Sequence, residues 1–144
     1  MKSIKLKNNT FIDSSGIVHN REQLDQILEN ILGKVLWTNT SPNNDFSSQQ
    51  ITLNNSDYDV IEWFYRTDSA ANLVFSVKTM KGYGTQFDFN SSVSSSRWTR
   101  RISRVSDIKY SASDCTNISN NTTVNSQCVP LLAIGYKTEY SNWF

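Results

Sequence analysis

The sequence predicts a mainly β protein: an antiparallel, jelly-roll-like β-sandwich preceded by a short N-terminal hairpin and one α-helix. Three observations predict it. Short β-prone runs recur along the chain, separated by Asn, Ser, Asp, Gly and Pro clusters that favour turns. Asn, Ser and Thr make up about a third of the residues, and such neutral polar side chains suit turns and strand faces better than helix interiors. Only one segment, residues 20–32, carries helical periodicity.

Near the start, Ile4 and Leu6 alternate with lysines. Thr10, Phe11 and Ile12 then precede a turn ending at Gly16, followed by Ile17 and Val18. This reads as a small hairpin or clasp. In the helical segment Asn20 is placed to cap and Gln23 completes a capping-box pattern. Leu24, Ile27, Leu28, Ile31 and Leu32 fall on one stripe, and Gly33 marks the stop. The stripe fits either a helix lying on its own domain's sheet or a short seam between chains, since a/d spacing is also satisfied. Residues 1–34 are therefore expected to form a clasp and oligomerisation helix, and residues 35–144 the sandwich.

From residue 35 onward only strand patterns occur. LWT is followed by the breaker SPNND, then QQITL, the turn NNSD, and the run YDVIEWFY. In that run Ile61, Trp63 and Tyr65 share one face, while Tyr58, Val60 and Phe64 share the other. A half-exposed strand would alternate apolar with polar, so this one is expected to be covered on both sides, by its own core and by a subunit. Residues 128–136, CVPLLAIGY, have the same two-sided character. Between them come an alternating strand over 72–80, a turn at 81–84, a strand carrying Phe87 and Phe89, a serine-rich loop over 91–96, a strand over 97–105 and a short strand at 108–110.

The chain has 144 residues, enough for one domain with a real core. Its net charge of +1 steers it to neither nucleic acid nor an anionic membrane. No run is long enough to span a bilayer, and the start, MKSIKLK, lacks the apolar core of a signal peptide. The chain is thus expected to be made in a cytoplasm. Cys115 and Cys128 flank an Asn/Ser/Thr loop and are either a disulfide or two free thiols. The single histidine, His19, leaves no triad and no metal set, and no cofactor or metal is expected. Phosphate-cradling glycine motifs are missing. Paired carboxylates are the remaining route to catalysis. Asp57 and Asp59 are two apart, but Asp57 lies in a turn cluster, and Asp88 has no evident second acid.

The densest chemical signal is RWTRRISR, residues 97–104. On a strand Trp98, Arg100, Ile102 and Arg104 share a face. Arginines beside an exposed aromatic suit an acidic or teichoic-acid-like polysaccharide, and they equally suit pairing with acids or plain solvation. Tyr83, Trp98, Arg100 and Arg104 are the candidate receptor-binding residues.

The motifs LWTNTSP, QQITL and SDYDVIEWFYR, a late Arg-rich strand and CVPLLAIGYK occur in this order over about two thirds of the chain. Together they resemble the C-terminal, receptor-binding domains of tail-fibre proteins from phages and prophages of Gram-positive bacteria. The front, IKLKNNTFIDSSGIVHN, looks like the clasp that precedes a helix in such fibres. The resemblance implies a virion tail protein without enzymatic activity. It implies a homotrimer that meets other tail or baseplate proteins and binds a host cell-surface glycan. The expected subunit interface comprises Leu24, Ile27, Leu28, Ile31, Trp63 and Phe64. Two alternatives stand beside it: a baseplate adaptor with no receptor, and a polysaccharide-degrading tail enzyme. If the helix stripe is a seam, Leu24→Asp or Ile31→Asp yields monomer or aggregate. Retention of the native oligomer mass in light scattering would sink the seam.

Overall fold

Among the described residues, alternation of apolar and polar side chains gives twelve short strands. The computed structural model describes residues 4–6, 10–12, 18–19, 22–23, 25, 28, 32–67, 73–82, 84–93 and 95–137. The strands are β1 (Ile4–Leu6), β2 (Thr10–Ile12), β3 (Val18–His19), β4 (Lys34–Thr38), β5 (Gln49–Thr52) and β6 (Val60–Arg66). They continue with β7 (Val74–Met80), β8 (Gln86–Val93), β9 (Ser96–Arg104), β10 (Lys109–Ala112), β11 (Thr116–Asn117) and β12 (Val129–Tyr136).

Two units make up the chain, one of residues 1–34 with 136–144 and one of residues 35–135. In the first, β2 pairs antiparallel with both β1 and β3, so three strands stand where a hairpin was expected. Glu22, Gln23, Asp25, Leu28 and Leu32 have helical backbone. Gly33 follows with φ of 83°, the left-handed conformation that ends helices. Of the stripe residues, Leu28 and Leu32 are exposed. Leu24, Ile27 and Ile31 lie outside the described residues.

The second unit contains two antiparallel sheets. One has the order β4-β12-β6-β7. In the other, β9 pairs with β8 along one edge, and β10 and β11 share its opposite edge end to end; β5 lies outside β10. Inner-face side chains of the two sheets interlock. Ile61, Trp63 and Tyr65 of β6 point inward and are buried, as the period-2 pattern requires. The Trp63 ring meets Tyr110 of β10 edge-on at 5.0 Å and Phe87 of β8 at 5.9 Å. Tyr65 stacks on Phe89 at 4.4 Å. Such contacts add about 0.5–1.5 kcal/mol each to the burial of these large rings. Tyr58 precedes β6, yet it too is buried. Its hydroxyl donates to the Asp107 carbonyl and lies 3.2 Å from the Tyr110 hydroxyl, and burial pushes its pKa far up.

Several expectations need correction. Trp63 is fully buried in the core, so it cannot serve a subunit interface. Phe64 lies on the opposite face of β6 and is half-buried with Val60 and Glu62. Residues 91–93 and 96 are strand rather than loop. β8 runs to Val93 and pairs with β9 through Ser91↔Trp98, Ser92↔Arg97 and Val93↔Ser96. Pairing with a nine-residue neighbour overrides the turn preference of serine. What was expected as a six-residue loop is the tight end of a hairpin.

Gly135 of β12 shows how closely the strands fit. A Cβ there would lie 2.7 Å from Leu36 Cδ1 and 2.9 Å from Tyr58 Cβ. Gly135→Ala should lower stability by about 1–3 kcal/mol through overpacking. A urea unfolding midpoint equal to wild type would show that the Leu36 side chain gives way instead.

Candidate functional site

Strand β9 decides where the arginines go. Its pairing with β8 sets Phe89 opposite Arg100 and Phe87 opposite Ile102. Phe89 and Ile102 are core residues, so Trp98, Arg100, Ile102 and Arg104 all turn inward. The shared face expected from the sequence exists, but it is the core face. Arg97, Thr99, Arg101 and Ser103 turn outward.

Arg100 is completely buried. Its Nε donates to the Cys128 carbonyl at 2.8 Å, and Nη1 donates to the Ser113 carbonyl. Nη2 reaches the Gln127 carbonyl at 3.3 Å and both Asn125 oxygens at 3.5 Å, and the guanidinium lies 5.2 Å from the Phe46 ring centroid. Burial lowers its pKa, but a guanidinium starts so high that it stays charged. Expected as a receptor contact, Arg100 is instead a core staple with no access to a ligand. Arg104 is committed too. Its Nη2 donates to the Asp107 carboxylate, which Lys81 also approaches at 3.9 Å. Tyr83 lies outside the described residues.

Trp98 has a different setting. It is half-buried at the end of the sheet, beside a recess of about 320 Å³ that Asn90, Ser91, Ser92, Arg97 and Ile118 also line. Ser91 is buried, and its Oγ has no hydrogen-bond partner among the described residues. Arg97 is exposed and makes no salt bridge among the described residues. Ile118 is largely exposed, and its backbone N–H donates to the Arg97 carbonyl at 2.9 Å. Backbone pairing therefore fixes the recess on three sides. It offers a ligand one aromatic ring, one uncommitted cation, an amide and the Ser92 hydroxyl.

A second recess, of about 420 Å³, lies on the outward face and is lined by Asp88, Thr99, Arg101, Ser113, Asp114 and Thr116. It unites Asp88 with a second acid that sequence spacing did not reveal. Both acids are held by neighbouring donors. Arg101 Nε and Nη2 grip the Asp88 carboxylate at 3.0 and 3.4 Å. Asp114 accepts from Asn125 Nδ2 at 2.9 Å and the Ser48 backbone N–H at 2.7 Å, bonds that hold its pKa below the usual carboxylate range.

A third groove, of about 350 Å³, is floored by Trp37 and Phe46, whose rings meet nearly perpendicularly at 6.3 Å; Asp45, Gln49 and Thr38 are among its walls. Buried Arg66 shapes it, donating to the carbonyls of Pro42 at 2.7 Å, Asn44 at 3.1 Å and Ser126 at 2.9 Å. The sequence signal for this groove is LWTNTSPNND, an aromatic followed by turn chemistry and an acid, a pattern that equally suits a strand and the turn after it. Arg97, Ser91 and Ile118 were missed because the phase of β9 depends on its partner strand.

Among the described residues no group of His, Cys, Asp and Glu is placed to hold a metal ion, and no helix is long and apolar enough to cross a membrane. No protein family, curated protein or solved structure matches the chain.

Asp107 and Asp114 give the structure an acid limb. Hydrogen bonds from Arg104 and from Asn125, respectively, depress their pKa values below 3.8 in the folded state. Their stabilisation is therefore complete above the unfolded carboxylate pKa and is lost as pH falls through the folded values. Urea midpoints should fall as pH drops below about 4, and more gently in Asp114→Asn. Parallel pH profiles for wild type and variant would remove Asp114 from that account.

Proposed function

We propose that the protein is a phage tail-tip component: a jelly-roll-like β-sandwich that binds a host cell-surface saccharide. In this reading its N-terminal strands and helix hold a homotrimer together within the virion tail. The observation that carries the binding part is the Trp98 recess. An aromatic side chain beside the uncommitted Arg97 suits a sugar ring joined to a phosphate or carboxylate. The Ser92 hydroxyl and the Asn90 amide are suited to sugar hydroxyls. The ligand class is therefore an anionic cell-wall glycopolymer of teichoic-acid type. The exposed Leu28 and Leu32 support an association role for the helix. The half-buried outer faces of β6 and β12, which carry Phe64, Leu132 and Ile134, support a second contact between subunits.

Binding is favoured over cleavage by the state of the two grouped acids. A glycosidase pair needs one carboxyl group whose raised pKa lets it donate a proton. Asp114 is shifted the opposite way, and Asp88 is tied to Arg101.

One observation favours the adaptor reading. β7 is an edge strand, and Val74, Phe75 and Met80 on it, with Leu73 just before it, are exposed. Open apolar edges pair readily with other chains. Labelled protein that binds virion components and no host cells would favour this reading.

Titration with a glycerol-phosphate polymer, followed by calorimetry, tests the recess. Arg97→Ala and Trp98→Ala should each weaken binding by about tenfold, equivalent to about 1.4 kcal/mol, while Arg101→Ala, in the second recess, leaves it unchanged. Equal affinity of wild type and Arg97→Ala would refute the recess as the site.

A further inference from the structure

The groove floored by Trp37 and Phe46 has no part in binding at Trp98, and its rim is pinned along its length. The Asn39 backbone N–H donates to the Leu131 carbonyl at 2.8 Å, and Asn39 Nδ2 donates to the Pro130 carbonyl at 2.8 Å. Asn39 Oδ1 accepts from the Ser41 backbone N–H at 2.9 Å, and the Ser41 carbonyl accepts from the Asn44 N–H at 3.1 Å. Arg66 holds the Pro42 and Asn44 carbonyls. The Phe46 N–H donates to the Asn125 carbonyl at 3.0 Å, and the Ser48 N–H donates to Asp114 at 2.7 Å. A wall held in this way is formed before a ligand arrives, which lowers the ordering cost of binding.

The groups that these bonds leave over define the ligand. Phe46 is buried, so the ring the groove offers is that of half-buried Trp37. Asp45 is exposed and makes no hydrogen bond or salt bridge among the described residues. Thr38, Thr40 and Ser41 are exposed and supply three hydroxyls. Gln49 Nε2 donates to the Ser47 carbonyl at 3.2 Å, which leaves its Oε1 to accept. Among the described residues the lining holds one carboxylate and no cation, so it repels an anion. The same residues include no group of acids, His and Cys placed to hold a metal ion. An ammonium ion would use the carboxylate and the ring and leave the hydroxyls and the amide idle. A neutral sugar uses them all: its C–H face meets the indole, a pair of its hydroxyls donates to the carboxylate, and the rest meet the hydroxyls and the amide.

We propose that this groove is a second binding site, one for a neutral pyranose, with Trp37 as the stacking platform and with Asp45 and Gln49 accepting from the sugar hydroxyls. Its volume of about 350 Å³ lies near the lower end of the range for small-molecule sites. The groove and the Trp98 recess have opposite preferences. Arg97 draws an anionic group to the recess, whereas Asp45 turns one away from the groove. The assignment stands whether or not the recess binds a polymer, because the two share no lining residue.

The test follows the Trp37 indole N–H by NMR in the folded 144-residue chain, its peak identified by its loss in Trp37→Phe. The probes are the methyl glycosides of glucose, galactose and mannose, and N-acetylglucosamine. Glycerol phosphate and ethanolamine serve as the anionic and cationic counterparts. At least one neutral sugar should shift the peak saturably in the millimolar range, and neither charged probe should do so at the same concentration. Asp45→Ala and Gln49→Ala, both at exposed positions, should each raise that Kd by about tenfold with Tm unchanged. Arg97→Ala should leave sugar binding intact, so failure of the Trp98 recess and failure of this groove are read separately. The proposal is overturned if no neutral sugar moves the peak, if a charged probe moves it as strongly, or if sugar affinity survives both Asp45→Ala and Gln49→Ala.

Discussion

A guanidinium has been taken out of water at Arg100, and the surrounding chain is arranged to tolerate it. Moving such a charge into the interior costs several kcal/mol unless its donors are met. Here they are met by the Ser113, Gln127 and Cys128 carbonyls and by both oxygens of Asn125. Those acceptors belong to two segments far from regular pairing. One leads out of β10, and the other leads into β12. The arginine thus ties both irregular segments to the middle strand of its sheet. Asn125 extends the tie by accepting from the Cys115 backbone and donating to Asp114. Arg66 repeats the device on the other sheet, joining the Pro42 and Asn44 carbonyls to that of Ser126.

These two arginines explain why a protein so rich in Asn, Ser and Thr has well-defined loops. Small polar side chains satisfy their nearest backbone neighbours readily but organise little beyond them. Asn39 accepts from Ser41, Asn55 from Asp57 and Asn117 from Ser119, each a local turn. Long-range order needs a side chain with several donors and reach. The aromatic layer of Trp63, Tyr65, Phe89 and Tyr110 supplies the rest by holding the sheets face to face. Neither system consumes Arg97, which is exposed, or the whole of Trp98, which is half-buried.

Much of the fold was legible in the residues. Ile61, Trp63 and Tyr65 alternate as core residues must, and residues 129–136 form β12, whose Val129 and Ala133 are buried. The hairpin of β8 and β9 was obscured because serine propensity argues for a loop, and only a partner strand shows otherwise. The site was less legible for a related reason. Alternation tells which residues of 97–104 travel together, but not which set meets the core; that is decided by Phe87 and Phe89 across the hairpin. A buried arginine looks the same in sequence as an exposed one. Asp88 and Asp114 come together only because β8 and the segment after β10 flank the same strand.

The position of β12 has a consequence for how the protein is made. It is the last of the described strands and yet an inner strand of its sheet, with β4 on one side and β6 on the other. While a ribosome is still synthesising residues 67–128, β4 has no sheet neighbour, and β6 has only β7. Leu36 and Ile61, both buried in the finished molecule, then have their covering strand still to come. Pairings this distant in sequence form slowly. Collapse of the first sheet should therefore wait until residues 129–136 leave the exit tunnel. Until then the chain presents unpaired edges to its surroundings, the interval in which chaperone contact or premature association with another nascent chain has its opportunity.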